Sequence, residues 1–227
     1  MLFPFPPLIP DAILSRAAQL STAAICDGAD PDLVCMDFSI KPLAPWMKFV
    51  GTAVTVETAN GDNLPIHLAT YATSQPGYVM VIDGKENRDR AYLGDLIVAA
   101  ARAAGYSAIV TNSLVRDAAG TIDLGFPVFS AGVLPRGPIK KEPGTVNGKI
   151  RCGGISVSPG DMIMGDSDGV VVVPLSRIEE IFTNAEKKQR YETERRHTIE
   201  EYRNASVNGT QLPDMRPEWL KQADRQA

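Results

Sequence analysis

This chain of 227 residues is short of the residue types on which several common chemistries depend. It has only two histidines, His67 and His197, so a histidine-rich metal centre is excluded by counting. Its three cysteines, Cys26, Cys35 and Cys152, are odd in number and lack CxxC spacing. That argues against a disulfide framework or a thiolate zinc site, and for small buried thiols in a reducing cytoplasm. Positive charge is not in excess: 23 Lys and Arg against 27 Asp and Glu leave a net charge of −4. The electrostatic footprint of a nucleic-acid binder is therefore missing. No apolar run approaches the roughly 20 residues of a membrane-spanning helix, and Gly169-Val-Val-Val-Val173 is only strand-sized. The first ten residues are apolar but carry no basic segment, and Pro4, Pro6, Pro7 and Pro10 break any helix there. They read as an ordered arm or a tail, and not as a signal peptide.

What is present suits one domain. Hydrophobic residues make up 44% and charged residues 22%, as in ordinary globular proteins. No repeat or low-complexity linker divides the chain, so residues 1–227 are expected to form a single unit. Its core would span about 20–175, followed by a helix over about 175–205 and a polar tail to 227.

Helical periodicity covers residues 11–20, with Asp27 or Asp30 as a cap for the next element. Residues 52–57 are a β-branched strand and 63–73 a helix. After the Pro76-Gly77 turn, residues 78–83 form a continuous apolar run typical of a strand buried on both faces. An Ala-rich helix over 96–104, stopped by Gly105, leads to a second buried strand over 107–111. This rhythm predicts a βαβ unit with a parallel pair. Short strands then follow over 127–129, 154–157, 161–164 and 169–173, separated by Ser158-Pro-Gly-Asp161 and Gly165-Asp-Ser-Asp-Gly169 turns. The long charged helix has little apolar stripe in its distal part, so residues 186–203 either stay solvated or project onto another subunit.

The chemistry concentrates in Gly94-Asp95-Leu96-Ile97 and, twenty intervening residues after Asp95, Arg116-Asp117. The first sits where a helix begins, and backbone N–H groups there form an anion site. The second follows the next strand, so both should emerge at the carboxyl edge of neighbouring parallel strands, where ligands of α/β sheets bind. A bidentate Arg for a carboxylate beside an Asp able to hold a divalent cation is a minimal kit for a 2-oxo acid. An Arg-Asp pair after a strand is also an ordinary surface ion pair or turn. Asn63 and His67, four apart on one helix face, line the pocket or make a structural hydrogen bond. Asp83-Gly84 reads as a strand-end turn, Asp166-Ser-Asp168 as an Asx turn, Lys140-Lys141 as a solvated loop and His197 as exposed.

The Asp95…Arg116-Asp117 spacing resembles the signature of the class II pyruvate aldolases that act on 4-hydroxy-4-methyl-2-oxoglutarate and 4-carboxy-4-hydroxy-2-oxoadipate. These belong to the superfamily of RraA, the regulator of ribonuclease E activity A. Further segments resemble that family in the right order across about residues 20–205. They are Gly51-Thr-Ala-Val-Thr55, Gly61-Asp-Asn63, Pro76 to Gly84, Gly94 to Ala104, Ser158-Pro-Gly-Asp161 and Gly165 to Pro174. One departure stands out. Where the family usually ends a strand in Asp-Gly before the Arg-Asp pair, this chain has Thr111-Asn112-Ser113-Leu114-Val115, and the Ser is expected to narrow the pocket or change the substrate.

The resemblance implies an RraA-like α/β sandwich with a mixed central sheet and a long C-terminal helix, assembled as a homotrimer or homohexamer. It implies a divalent-metal-dependent lyase, with Mg²⁺ or Mn²⁺ as cofactor, that releases pyruvate from a 4-hydroxy-2-oxo acid through a metal-stabilised enolate. Oxaloacetate decarboxylation is expected beside it. On the matching positions, Asp117 would hold the metal and Arg116 pair with substrate oxygens. Gly94, Asp95, Leu96 and Ile97 would hold the pyruvate carboxylate, and Asp95 would orient or deprotonate a water. Glu192 and Glu194 are candidates for an acid that reaches a neighbouring subunit's site. Two other readings stay open. One is an RraA-like regulator that inhibits a ribonuclease without catalysis, and the other a lyase for a different oxo acid. A menaquinone methyltransferase finds no support, because no Gly-rich nucleotide fingerprint follows the first strand.

Overall fold

The computed structural model describes residues 1–72 and 75–224. In chain order the helices are α1 (Asp11–Ala17), α2 (Thr22–Gly28), α3 (Pro31–Val34), α4 (Leu64–Tyr71), α5 (Asp95–Ala103), α6 (Ala118–Asp123), α7 (Ile178–Asn208) and α8 (Glu218–Asp224). The strands are β1 (Lys41–Pro42), β2 (Phe49–Glu57), β3 (Tyr78–Asp83), β4 (Ala108–Thr111), β5 (Val128–Ser130), β6 (Thr145–Val146), β7 (Ile150–Cys152), β8 (Ile155–Val157), β9 (Met162–Asp166) and β10 (Gly169–Val173). The main sheet runs β1-β5-β4-β3-β2-β9-β10, with β6 also on β2, while β7 and β8 form a separate hairpin. Its middle, β5-β4-β3-β2, is parallel, and β1, β6, β9 and β10 pair antiparallel. The sheet is thus mixed, as expected.

Period-two alternation divides the core into layers. Val79 and Val81 of β3 face one side with Ala53, Ala108, Val110 and the β7–β8 hairpin. Tyr78, Met80 and Ile82 face the other, against α4 and α5 through Ile66, Ala69, Val98 and Ala101. Both faces are covered, which is why β3 and β4 are buried at every position and read as unbroken apolar runs. A third cluster packs α1, α2 and the first turns of α7 on Met162, Met164, Val171 and Val173. Gly105, at φ +93°, ends α5 and turns the chain into β4.

α2 and α7 cross so closely that a Cβ on Gly28 would stand 2.7 Å from both the Ala185 nitrogen and the Ile181 oxygen. Backbone atoms cannot rotate away, so Gly28→Ala must push the helices apart. The expected loss is about 2–4 kcal/mol, read as a melting temperature lowered by roughly 5–15 °C.

Several expectations shift. The cap before α2 is Ser21, whose Oγ accepts from the Ala24 N–H at 3.1 Å; Asp27 lies inside that helix, while Asp30 directly precedes α3, its carbonyl accepting from the Leu33 N–H at 3.1 Å. The predicted helix over 63–73 ends at Tyr71, and Thr73 falls outside the described residues. A 3-10 turn, Leu175–Arg177, precedes α7, which continues to Asn208 and stops at left-handed Gly209. β1, β6, β7, α3, α6 and α8 carry too little periodic sequence to announce themselves. Cys152 is buried and Cys26 half-buried, but Cys35 is exposed between buried Val34 and Met36. The N-terminal arm is ordered: Leu2 bridges to Val146, Phe5 tilts against Tyr78 and the Tyr78 hydroxyl donates to the Pro6 carbonyl at 2.6 Å. Among the described residues no helix is long and apolar enough to cross a membrane.

Candidate active site

β3 and β4 are parallel and in register, so their carboxyl ends lie side by side. From β3 the chain loops to α5, whose N-cap is Gly94; from β4 it runs through Asn112 to Val115 and delivers Arg116-Asp117 to the start of α6. The backbone ties the two arms, with the Arg116 N–H donating to the Leu93 carbonyl at 2.9 Å and the Tyr92 N–H to Leu114 at 2.9 Å. A cavity of about 220 Å³ opens there, lined among others by Gly94, Asp95, Ile97, Arg116, Asp117 and Lys140. Every cavity residue named from the 94–97 and 116–117 motifs is thereby brought together. Glu192 and Glu194 do not line it; both are on α7, where Glu192 accepts from Arg196 at 3.0 Å. His197, on the same helix, is exposed.

Asp117 has φ +53° and ψ +42°, a left-handed conformation uncommon for any residue but Gly, Asn and Asp. That backbone aims its carboxylate back at Gly94, where a Cβ would overlap Asp117 Oδ2 and stand 3.1 Å from Arg116 Cγ. The carboxylate makes no cap bond to α6; its partner is Arg116 Nε at 3.2 Å, and both side chains are 44% exposed. A pair so exposed adds little stability; the Asp117 backbone itself starts α6, its carbonyl accepting from the Thr121 N–H at 3.0 Å. The Arg116 guanidinium lies over Gly137, where a Cβ would meet Nη1 at 2.9 Å. Asp95 folds back on its own helix, Oδ1 accepting from the Leu96 N–H at 2.7 Å. It therefore occupies an amide that an anionic ligand would otherwise claim.

The far wall comes from α4 and the 136–141 loop. Asn63 and His67 both line the cavity. Asn63 Nδ2 donates to the Tyr92 carbonyl at 2.8 Å, while its Oδ1 and His67 Nε2 are buried without a partner among the described residues. Burial, and then the Lys140 ammonium, push the His67 imidazole below its ordinary value, so it is neutral at pH 7. Lys140 is an exposed loop residue, as its sequence suggests, and it also lines the cavity, because residues on either side of it are pinned to the Gly61–Leu64 turn. No local pattern announces this, since the loop lies more than 70 residues from that turn.

Asn112 and Ser113 do not narrow the cavity. Ser113 is fully buried behind it against Gly84, with Cβ 2.7 Å from where a Gly84 Cβ would lie. Asn112 instead closes the strand ends, Nδ2 donating to Asp83 Oδ1 at 3.1 Å and Oδ1 accepting from the Gly84 N–H at 2.8 Å. It also borders a larger hollow of about 570 Å³ that includes Cys35, Asp37, Glu86 and Arg88 but none of the predicted site residues. The other turn readings hold. Asp83 accepts from the Lys85 N–H at 2.9 Å, and Asp166 Oδ1 from the Asp168 N–H at 3.0 Å.

Comparison with known proteins places this chain in a family. A protein of Halalkalibacterium halodurans named "Putative 4-hydroxy-4-methyl-2-oxoglutarate aldolase" is 37% identical over 186 residues, 82% of this chain and 88% of its own length. The crystal structure of Streptomyces coelicolor RraAS2, described as an unusual member of the RNase ES inhibitor RraA protein family, superposes with a TM-score of 0.74 at 25% identity. That match covers 83% of this chain and 98% of the other. A Geobacillus kaustophilus structure described as S-adenosylmethionine:2-dimethylmenaquinone methyltransferase superposes with a TM-score of 0.61 at 29% identity, over 68% of this chain and 95% of the other. The family pattern described as Aldolase/RraA matches residues 22–172, which include the whole cavity lining, and the chain belongs to the RraA-like family.

Proposed function

We propose that the protein, acting as one RraA-like unit within a homotrimer or homohexamer, is a divalent-metal-dependent carbon–carbon lyase. It releases pyruvate from a 4-hydroxy-2-oxo acid of the 4-hydroxy-4-methyl-2-oxoglutarate type, and decarboxylates oxaloacetate. The observation that carries this reading is the cavity in which the start of α5, Arg116 and left-handed Asp117 converge. The name of the Halalkalibacterium relative supports it.

Among the described residues no three His, Cys, Asp or Glu side chains gather as a metal cage. A cation would rest on Asp117 alone, with waters and substrate oxygens completing its shell. Mg²⁺ accepts that donor set, because it binds oxygen, takes one or two carboxylates and keeps several waters. Asp117 fits, being half-exposed to the cavity and uncommitted to α6. The bound cation would supply Lewis acidity, drawing off the negative charge that develops as the bond breaks.

The chain's own residues do the rest. The substrate carboxylate takes the Leu96 amide from Asp95 Oδ1, at the positive end of the α5 dipole. Asp95, so released, orients a water and through it accepts the proton of the 4-hydroxyl. Arg116, held over Gly137, pairs with substrate oxygens, and Lys140 faces the distal carboxylate from the opposite wall. Glu192 or Glu194 would enter from another subunit.

The test is pyruvate release from 4-hydroxy-4-methyl-2-oxoglutarate and from oxaloacetate, with Mg²⁺, with Mn²⁺ and after EDTA. Turnover should fall by at least about 100-fold on chelation and return with either metal. Absence of turnover on both substrates would sink the lyase. A regulator of the RraAS2 kind would need no such cavity chemistry. The methyltransferase reading lacks its own support, since β2 leads into Thr58-Ala-Asn-Gly-Asp-Asn63 and not a glycine-rich nucleotide loop.

A further inference from the structure

We propose that Asp62 is a positioning residue for this cavity: its buried carboxylate fixes the 139–142 loop so that the Lys140 ammonium stands over the substrate. The proposal rests on the lyase reading above.

Asp62 has no exposed surface, yet among the described residues it forms no ion pair with a cation. Its Oδ2 accepts from the Lys141 N–H at 2.6 Å and the Glu142 N–H at 3.0 Å, and its Oδ1 from the Leu64 N–H at 2.8 Å. Two backbone bonds flank this clamp: the Ile139 N–H donates to the Gly61 carbonyl at 2.9 Å, and the Asn63 N–H to the Ile139 carbonyl at 3.1 Å. The residues before and after Lys140 are therefore held, and Lys140 itself, exposed to solvent, lines the cavity. Three converging N–H donors need an acceptor-only group, which among small side chains means an ionised Asp. An Asn would turn its NH₂ against one set of donors. Burial pushes the Asp62 carboxyl up, but the three amides and Lys140 outweigh it and hold it below its ordinary value. His67 lines the same cavity, and after burial the Lys140 ammonium is the second cause that lowers its imidazole below its ordinary value.

A carboxylate that merely staples two loops would also be buried and bonded in this way. The distinction is coupling: a positioning residue acts through Lys140, and a staple does not. The full-length protein is assayed with Mg²⁺ and 4-hydroxy-4-methyl-2-oxoglutarate as wild type, Asp62→Asn, Lys140→Met and the double variant, each well below its own Tm. Lys140→Met is expected to lower kcat/KM by roughly 10–100-fold, mostly through KM. Asp62→Asn should do about the same, and the double variant should be within about 3-fold of the weaker single. Multiplication of the two losses in the double variant overturns the proposal, as does either single variant staying within about 3-fold of wild type. If Asp62→Asn does not fold, Asp62→Glu keeps the charge, shifts the anchor by one methylene and must show the same coupling. A wild type that releases no pyruvate removes the lyase reading and the proposal with it, whereas an active wild type with multiplying losses removes the proposal alone.

Discussion

Asp117→Asn is expected to lower pyruvate release by at least about 1000-fold in kcat/KM, equivalent to about 4 kcal/mol of transition-state stabilisation, with little change in Tm. Asparagine is chosen because it shares aspartate's tolerance of φ near +53°, so the backbone keeps its turn and only the charge is lost. Asp117→Ala should abolish activity equally but melt somewhat lower, since alanine gains nothing from a left-handed conformation and bears its steric penalty of roughly 1 kcal/mol. The ion pair to Arg116 is too exposed for its loss to explain an unfolding effect. Steady-state kinetics beside a thermal melt and a metal titration checks all three statements. An Asp117→Asn protein that retained a tenth of wild-type activity would remove Asp117 from the metal.

Gly94→Ala should be nearly as severe, at about 100-fold in kcat/KM, for a steric reason. At φ −140° and ψ −169° Gly94 is in extended backbone that alanine adopts without strain, so the N-cap position tolerates the change. The added methyl, however, would fall on Asp117 Oδ2 and approach Asp117 Cγ within 3.2 Å. The carboxylate must rotate out of the cavity, and it takes Arg116 Nε with it or loses that partner. Stability near wild type combined with this loss of activity separates the effect from Gly28→Ala, where backbone meets backbone and the fold itself suffers. Unchanged activity in Gly94→Ala would show that the position of the Asp117 carboxylate does not matter to turnover.

The parts of this protein that could be read from sequence share a physical trait. β3, β4, α5 and β10 announce themselves because burial on both faces, or a run of alanines stopped by glycine, leaves a local signature. Gly94 to Ile97 and Arg116-Asp117 were legible for a related reason, being tethered to the ends of those elements. The other wall of the cavity was not. Lys140 arrives on a loop with no periodicity, anchored where the Lys141 N–H meets Asp62 from 79 positions further along the chain, so only folding joins them. Ser113 departs from the family pattern, but its side chain packs behind the cavity against Gly84 and does not line it. Asn63 and His67 could be placed on one helix face, whereas their unpartnered atoms are a property of burial that spacing does not encode.

α7 is one uninterrupted hydrogen-bonded rod, but only Ile178, Ile181, Phe182 and Ala185 of its residues are buried. The rod therefore crosses a boundary in cooperativity near Ala185. Its first turns share the fate of the domain, opening only when the whole opens. The remaining residues to Asn208 extend for about 35 Å at 1.5 Å per residue and have chiefly polar surface to hold them. A helix so placed is marginal by itself, so its persistence is set by whatever it rests against. Local stability along α7 thus becomes a gauge of assembly: slow amide exchange beyond Ala185 would report a docked helix, and fast exchange a free one, with no change in the core to confuse the two.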